Sequence, residues 1–130
     1  MFGKKEKGCF MNLHVISLAI KEAEKSKERH KIGAIIFKGN KIISKAYNEI
    51  RACSYLHPKR KRFEFSLHAE QRAIINARTS LKRASILVVR INKSGEFLLA
   101  KPCKYCLAYI EDVGIKNIYY STKNGVEKLC

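Results

Sequence analysis

The sequence contains no apolar run that approaches the roughly 20 residues a helix needs to cross a bilayer. The basic N-terminus, residues 1–8, is followed by apolar residues that Asn12 and His14 interrupt, and then by a charged helical pattern rather than a cleavage site. There are also no internal repeats and no low-complexity linker. These absences argue against a membrane, secreted or repeat protein, and we expect a cytoplasmic protein with no membrane partner.

Acidic residues are scarce: Asp and Glu number 11 against 27 Lys and Arg, a net charge of +16. Such an excess favours a phosphate-bearing nucleotide or single-stranded nucleic acid as partner, and a lysine-rich solvated surface is the alternative. At 130 residues and 46% hydrophobic content, the chain fits one domain with a buried core. We expect a single domain over residues 1–130, with residues 1–9 as a basic tail.

The five cysteines are an odd number in a chain that shows no secretion signal. A disulfide framework therefore explains them less well than metal binding or catalysis does. We expect Cys9, Cys53 and Cys130 to be ordinary thiols, whereas Cys103 and Cys106 form a spaced pair.

Hydrophobic spacing predicts an α/β domain. Leu13, Ile16, Ile20 and Ala23 predict a helix over residues 11–29, and a Gly-Asn turn between two β-type runs predicts a hairpin. A long polar connection over residues 48–65 is of a length that is usually functional. Further elements are predicted as a helix over residues 67–77, a strand over 85–91, a short extended piece over 97–100, a helix between Pro102 and Gly114, and strands over 115–122 and 126–129. This order predicts one mixed sheet of about five strands with helices on its faces, and Asn124-Gly125 predicts an antiparallel last pair.

Two short motifs carry metal-ligand chemistry. His68-Ala69-Glu70 begins the second predicted helix, and Pro102-Cys103-Lys104-Tyr105-Cys106 begins the third. Two cysteines three residues apart at a helix start project from one face, and a histidine from a neighbouring helix start supplies a third ligand. Three protein ligands leave one tetrahedral position for water, which is typical of a catalytic Zn²⁺ site, where the pKa of water falls toward about 7.

Glu70 is predicted to act on protons rather than on the metal. On a regular helix, His68 and Glu70 would point about 200° apart. They can serve one site only if His68 lies at or just before the helix start, with Glu70 in the first turn. A carboxylate in that position can take a proton from water and return it to a leaving group.

The joint pattern resembles the H-x-E and P-C-x-x-C signature of zinc nucleobase deaminases, the cytidine deaminase-like superfamily. The deoxycytidylate and tRNA-adenosine branches are the most similar. The resemblance extends over about residues 11–120 and includes Ile32-Gly33-Ala34-Ile35-Ile36, Ala46-Tyr47-Asn48 and Gly114-Ile115-Lys116-Asn117-Ile118-Tyr119-Tyr120. It implies a three-layer α/β/α fold, although the predicted antiparallel last pair is more like the free-nucleoside branch.

By resemblance, His68, Cys103 and Cys106 hold one zinc ion per chain and Glu70 shuttles protons. Asn48 contacts the substrate, and the backbone N–H of Ala69 holds the ring carbonyl or its equivalent. The implied reaction is hydrolytic conversion of cytosine to uracil in a (deoxy)cytidine nucleotide or in single-stranded nucleic acid. Adenosine-to-inosine deamination in tRNA and a catalytically silent nucleic-acid-binding relative are the alternatives, and a homo-oligomer stays open.

The cysteine pair and its neighbours also suit two other functions, a redox motif and a structural zinc site. The cysteine pair could be a thioredoxin-like redox motif, but the partner H-x-E motif disfavours it. A structural four-ligand zinc site could recruit Cys53 or His57, but it leaves Glu70 unexplained. His14 and His30 are expected on the helix surface or in packing, and the tyrosines in the core and sheet.

A basic run precedes the first motif: Lys59-Arg60-Lys61-Arg62, after Pro58. It is either a solvated loop or a phosphate grip beside the pocket, and its position favours the grip. Phe63 and Phe65 follow the run directly and could cover or stack on a base.

Overall fold

A computed structural model describes residues 13–28, 30–52, 64–102 and 104–129 of the chain. Its helices are α1 (Leu13–Glu24), α2 (Ala69–Ala77) and α3 (Lys104–Asp112). Its strands are β1 (Lys31–Lys38), β2 (Lys41–Tyr47), β3 (Glu49–Ala52), β4 (Glu64–Leu67), β5 (Ser85–Ile91), β6 (Phe97–Leu98), β7 (Asn117–Thr122) and β8 (Gly125–Leu129).

One mixed sheet organises the described residues. Its strands run in the order β2-β1-β5-β7-β8, and β6 adds to β5. The pair β5–β7 is parallel and the other pairs are antiparallel, including the last pair, in which Ile118 faces Leu129. The predicted fold class and the predicted antiparallel last pair are therefore confirmed.

Helices cover both faces of this sheet and give three layers. Alternate β5 residues divide between the faces: Leu87 and Val89 pack with α1, whereas Ile86 and Val88 pack with α2 and α3. Side chains of a strand alternate between faces, so a central strand in a three-layer domain is apolar on both. This is why residues 86–89 form a continuous apolar run.

The buried face of α1 agrees with the predicted one only in part. Of the predicted residues Leu13, Ile16, Ile20 and Ala23, Ala23 is fully buried and Ile16 packs against the core, but Leu13 is 70% exposed. Val15, Ala19 and Glu22 are buried as well. The reason is close approach: α1 crosses β1 at Gly33, where only small helix residues fit, so the larger aliphatic side chains lie to one side.

The connection over residues 48–65 was predicted to contain no strands, and this prediction is wrong. Its two ends form β3 and β4, which pair antiparallel with Glu49 opposite Leu67. This pairing joins residues more than ten positions apart, so local patterning does not reveal it. Residues 53–63 lie outside the described residues.

A hairpin between β5 and β6 leads toward α3. The Asn92 side chain accepts hydrogen bonds from the backbone N–H groups of Ser94 and Glu96, both at 2.9 Å. Ser121 of β7 is fully buried beside it: its hydroxyl donates to the Leu98 carbonyl at 2.6 Å and accepts from the Arg90 N–H at 3.0 Å. The Ala100 N–H also donates to the Ser121 carbonyl at 2.9 Å. The chain is thus fastened to the sheet just before α3.

Candidate metal and active site

His68 occupies the N-cap of α2. Its backbone is extended, with φ −70° and ψ 144°, and its side chain makes no capping hydrogen bond. Because His68 stands outside the helix and Glu70 in its first turn, the 100° rotation per residue does not separate the two side chains. The condition that the H-x-E spacing imposes is met.

Three side chains from α2, its N-cap and α3 meet at one point. A nitrogen of His68, a carboxylate oxygen of Glu70 and the sulfur of Cys106 all lie within 4.8 Å of one another. Cys106 Sγ is 3.4 Å from His68 Nδ1. Cys106 is 1% exposed and Glu70 is 5% exposed, so these two members of the cluster are shielded from water, whereas His68 is not buried.

The donor set fits zinc. With Zn–S near 2.3 Å and Zn–N near 2.05 Å, a tetrahedral ion holds its sulfur and nitrogen ligands about 3.5 Å apart. The Cys106–His68 separation of 3.4 Å matches that spacing. A thiolate and an imidazole are ligands that zinc prefers. Cys103, the remaining predicted ligand, lies outside the described residues, so its role stays a prediction.

Glu70 is a buried carboxyl group. Burial raises the pKa of its carboxyl group above the ordinary value, and its own backbone N–H and His68 act in the opposite direction. Among the described residues, no Lys or Arg forms an ion pair with Glu70. A buried carboxyl group in this setting is typical of proton transfer rather than of structural charge pairing.

Ala69 is the first residue of α2 and is fully buried. The first i to i−4 hydrogen bond of the helix runs from the Arg72 N–H to the His68 carbonyl at 3.1 Å. The N–H groups of residues 69–71 therefore have no intrahelical acceptor. The Ala69 N–H is available to a ligand oxygen, and its contact with the substrate stays a prediction.

Asn48 lies at the end of β2 and its side chain extends the β1–β2 ladder. Its Oδ1 accepts from the Ile32 N–H at 2.9 Å, and its Nδ2 donates to the His30 carbonyl at 2.7 Å. Since an amide has two acceptor and two donor positions, half of its capacity stays open. Its predicted substrate contact can use only that remaining half.

Two side chains that the sequence analysis missed hold α2 on the sheet. The Ser44 hydroxyl donates to the Ala73 carbonyl at 2.6 Å, and Arg72 Nη1 donates to the Tyr47 carbonyl at 2.7 Å. The Arg72 guanidinium also stands 4.9 Å from the Tyr47 ring centre. These contacts join residues 25 to 29 positions apart, and no spacing rule signals them.

Several predicted residues lie outside the described part of the chain. The basic run, whose phosphate contact stays a prediction, comprises Lys59, Arg60, Lys61 and Arg62. Also outside the described residues are Cys9, Cys53, His57, Phe63 and Cys130. Tyr119 is confirmed as a core residue, stacked on Phe37 with ring centres 6.4 Å apart.

None of the helices formed by the described residues is both long enough and apolar enough to traverse a bilayer.

Similar solved structures confirm the fold. The dCMP deaminase of cyanophage S-TIM5 is 24% identical, with 86% of each chain covered and a TM-score of 0.55. The cytidine deaminase of Mycobacterium leprae is 20% identical, with 91% of this chain and 93% of that chain covered and a TM-score of 0.59. A tRNA:A34 deaminase is 23% identical, with 85% and 75% covered and a TM-score of 0.56.

Curated protein sequences contain no match to the chain. Residues 11–122, however, match the family described as the cytidine and deoxycytidylate deaminase zinc-binding region. That span contains both motifs and the His68, Glu70 and Cys106 cluster. The resemblance noted from the sequence is therefore confirmed, and the chain belongs to this zinc-binding deaminase family.

Proposed function

We propose that the protein is a zinc-dependent hydrolytic deaminase that converts cytosine to uracil in a (deoxy)cytidine nucleotide or in single-stranded nucleic acid. The observation that carries the proposal is the meeting of His68, Glu70 and Cys106 at two helix starts. The structure of the cyanophage S-TIM5 relative in complex with dCMP and dUMP supports a pyrimidine nucleotide as substrate.

The cluster divides the work of hydrolysis among its members. His68, Cys103 and Cys106 would hold zinc, which supplies Lewis acidity that makes water nucleophilic at neutral pH. Glu70 accepts a proton from the attacking water and delivers it to the departing amino group. Water and cytosine thus give uracil and ammonia, with no other reactant.

Two features of the site favour the reaction. The open N–H of Ala69 at the start of α2 donates to the ring oxygen. The burial of Glu70 and Cys106 limits access of bulk water, which strengthens each electrostatic contact made there.

The five cysteines suit a reducing compartment, so we propose the cytoplasm as the location.

Adenosine-to-inosine deamination in tRNA is the second candidate. The +16 net charge suits a polymer with many phosphates, and the tRNA:A34 deaminase shares the fold. All the motif residues named above would serve that reaction equally well.

The test incubates zinc-loaded protein with dCMP, cytidine, single-stranded DNA and tRNA, and measures uracil and inosine. Glu70→Gln should abolish turnover while zinc content stays at the wild-type value. The matched control is Glu96→Gln, because Glu96 is an exposed acid in the β5–β6 hairpin. Turnover of none of the four substrates by zinc-loaded wild type rejects the proposal. Loss of zinc in Glu70→Gln shows that Glu70 is a ligand instead.

A further inference from the structure

Arg90, the sixth residue of β5, carries a positive charge that the described residues do not neutralise. None of their acidic groups forms an ion pair with it. Its Nη2 lies 2.6 Å from His30 Nδ1, and its buried Nε has no hydrogen-bond partner among the residues that the structure describes. Since arginine can only donate, His30 Nδ1 is the acceptor in this contact. The Arg90–His30 pair therefore has a net positive charge.

The pair lies on the sheet face that carries the site helices. Arg90 stands directly opposite Ile32 in the β1–β5 ladder, and the Asn48 N–H bonds to the Ile32 carbonyl on the other side. Ile32 packs against the cluster that includes Ala69 at the start of α2. With strands about 4.8 Å apart, the Cα atoms of Arg90 and Asn48 are about 10 Å apart across β1.

Arg90 also lies at the carboxyl end of strand β5. In open α/β sheets, ligands bind outside the carboxyl ends of the parallel strands. Arg90 is the penultimate residue of β5, which is one member of the parallel pair β5–β7. The chain that leaves this end continues through β6 to α3, which carries Cys106.

We propose that the Arg90–His30 pair binds a phosphate of the substrate, which makes Arg90 a specificity-determining residue. The proposal deepens the proposed function and rests on it. A guanidinium has five N–H donors in a planar fork that matches phosphate oxygens. Nη1 makes no hydrogen bond to the described residues, and His30 fixes the orientation of the fork through Nη2. Substrates with a phosphate are therefore preferred over free nucleosides.

The experiment measures binding of products and of phosphate to zinc-loaded protein by isothermal titration calorimetry. The ligands are dUMP, deoxyuridine, inorganic phosphate and a short single-stranded oligodeoxynucleotide. The variants are Arg90→Met, which removes the charge and fork, and Arg90→Lys, which keeps only the charge. Lys93→Met is the control, because it removes one exposed positive charge at the tip of the β5–β6 hairpin.

Arg90→Met should weaken binding of dUMP about 10- to 100-fold, the range for a lost charge-assisted hydrogen bond, and that of deoxyuridine less than about threefold. Arg90→Lys should fall between wild type and Arg90→Met, and Lys93→Met should change both ligands less than about threefold. In Arg90→Met, a larger loss of affinity for dUMP than for deoxyuridine identifies a phosphate monoester as the group that Arg90 binds. A loss of affinity confined to the oligonucleotide identifies a phosphodiester. Either result supports the proposal.

Equal losses for dUMP and deoxyuridine overturn it, because Arg90 then acts on the fold rather than on phosphate. An unchanged affinity for dUMP and for the oligonucleotide also overturns it. Circular dichroism and zinc content establish that each variant is folded. Failure of the proposed function has a different signature: wild type then deaminates nothing, whereas inorganic phosphate and dUMP still report on Arg90.

Discussion

Replacing Gly33 by alanine tests how closely α1 approaches the central sheet. A Cβ atom at this position would lie 2.4 Å from the Ala19 carbonyl oxygen and 2.6 Å from the Ala23 nitrogen. Glu22 Cβ would be 3.1 Å away. The two closest atoms belong to the backbone of α1, so no side-chain rotation relieves the overlap.

The cost follows from the distance that α1 must move. Ordinary contact between such atoms begins near 3.4 Å, so the helix must retreat by about 1 Å. That movement loosens its packing of Val15 and Ala19 against Leu87 and Val89. Overpacking a core costs about 1–3 kcal/mol and more where the backbone must move, so we expect at least about 3 kcal/mol. For a chain of this size, that lowers the melting temperature by about 10 °C.

The assay is thermal and urea unfolding followed by circular dichroism. Gly39→Asn serves as the control, because its Cβ would meet nothing within 4 Å and asparagine tolerates the φ of +59° there. It should change the free energy of unfolding by less than about 1 kcal/mol. A Gly33→Ala protein as stable as Gly39→Asn would refute the close approach of α1. Zinc content of the folded fraction should not change, since α1 lies on the face opposite the site.

Three further variants probe the site and its support. Cys106→Ser should reduce bound zinc well below one ion per chain, measured by atomic emission, and full zinc content would contradict its role as a ligand. Ser44→Ala should destabilise the protein by about 1 kcal/mol in urea unfolding, because the Ala73 carbonyl, which also accepts a hydrogen bond within α2, loses its second donor; Ser94→Ala, at the exposed hairpin tip, is its control. Arg72→Met should raise KM or lower kcat more than it lowers the melting temperature, because Arg72 connects α2 to the end of β2; a pure stability loss would contradict this.

The local geometry of each motif could be predicted from the sequence, whereas the meeting of His68 and Cys106, 38 positions apart, was an implication of the family resemblance. The H-x-E spacing requires an N-cap histidine, and the C-x-x-C spacing requires one face of a helix start, so both follow from helix geometry. Strand β5 was predicted with its observed ends because both of its faces are apolar. The hairpins were predicted because Gly-Asn and Asn-Gly pairs favour tight turns.

The parts that were missed depend on register between distant residues. Arg90 reaches His30 only because β5 pairs with β1, and Ser44 reaches Ala73 only because α2 crosses β2. The buried face of α1 was predicted only in part because two apolar stripes share that helix. Spacing alone does not tell which stripe meets a glycine 14 positions beyond Ala19.

Ser121 anchors the chain that follows the β5–β6 hairpin, and this anchor lies between the hairpin tip and α3. Residues 98–100 are anchored to β7 by two hydrogen bonds with Ser121, so we expect a change at the hairpin tip to have little effect on α3. The tip at residues 93–95 is exposed and extends beyond this anchor. We therefore expect a foreign peptide or a fluorescent label inserted there to leave the His68, Glu70 and Cys106 cluster in place.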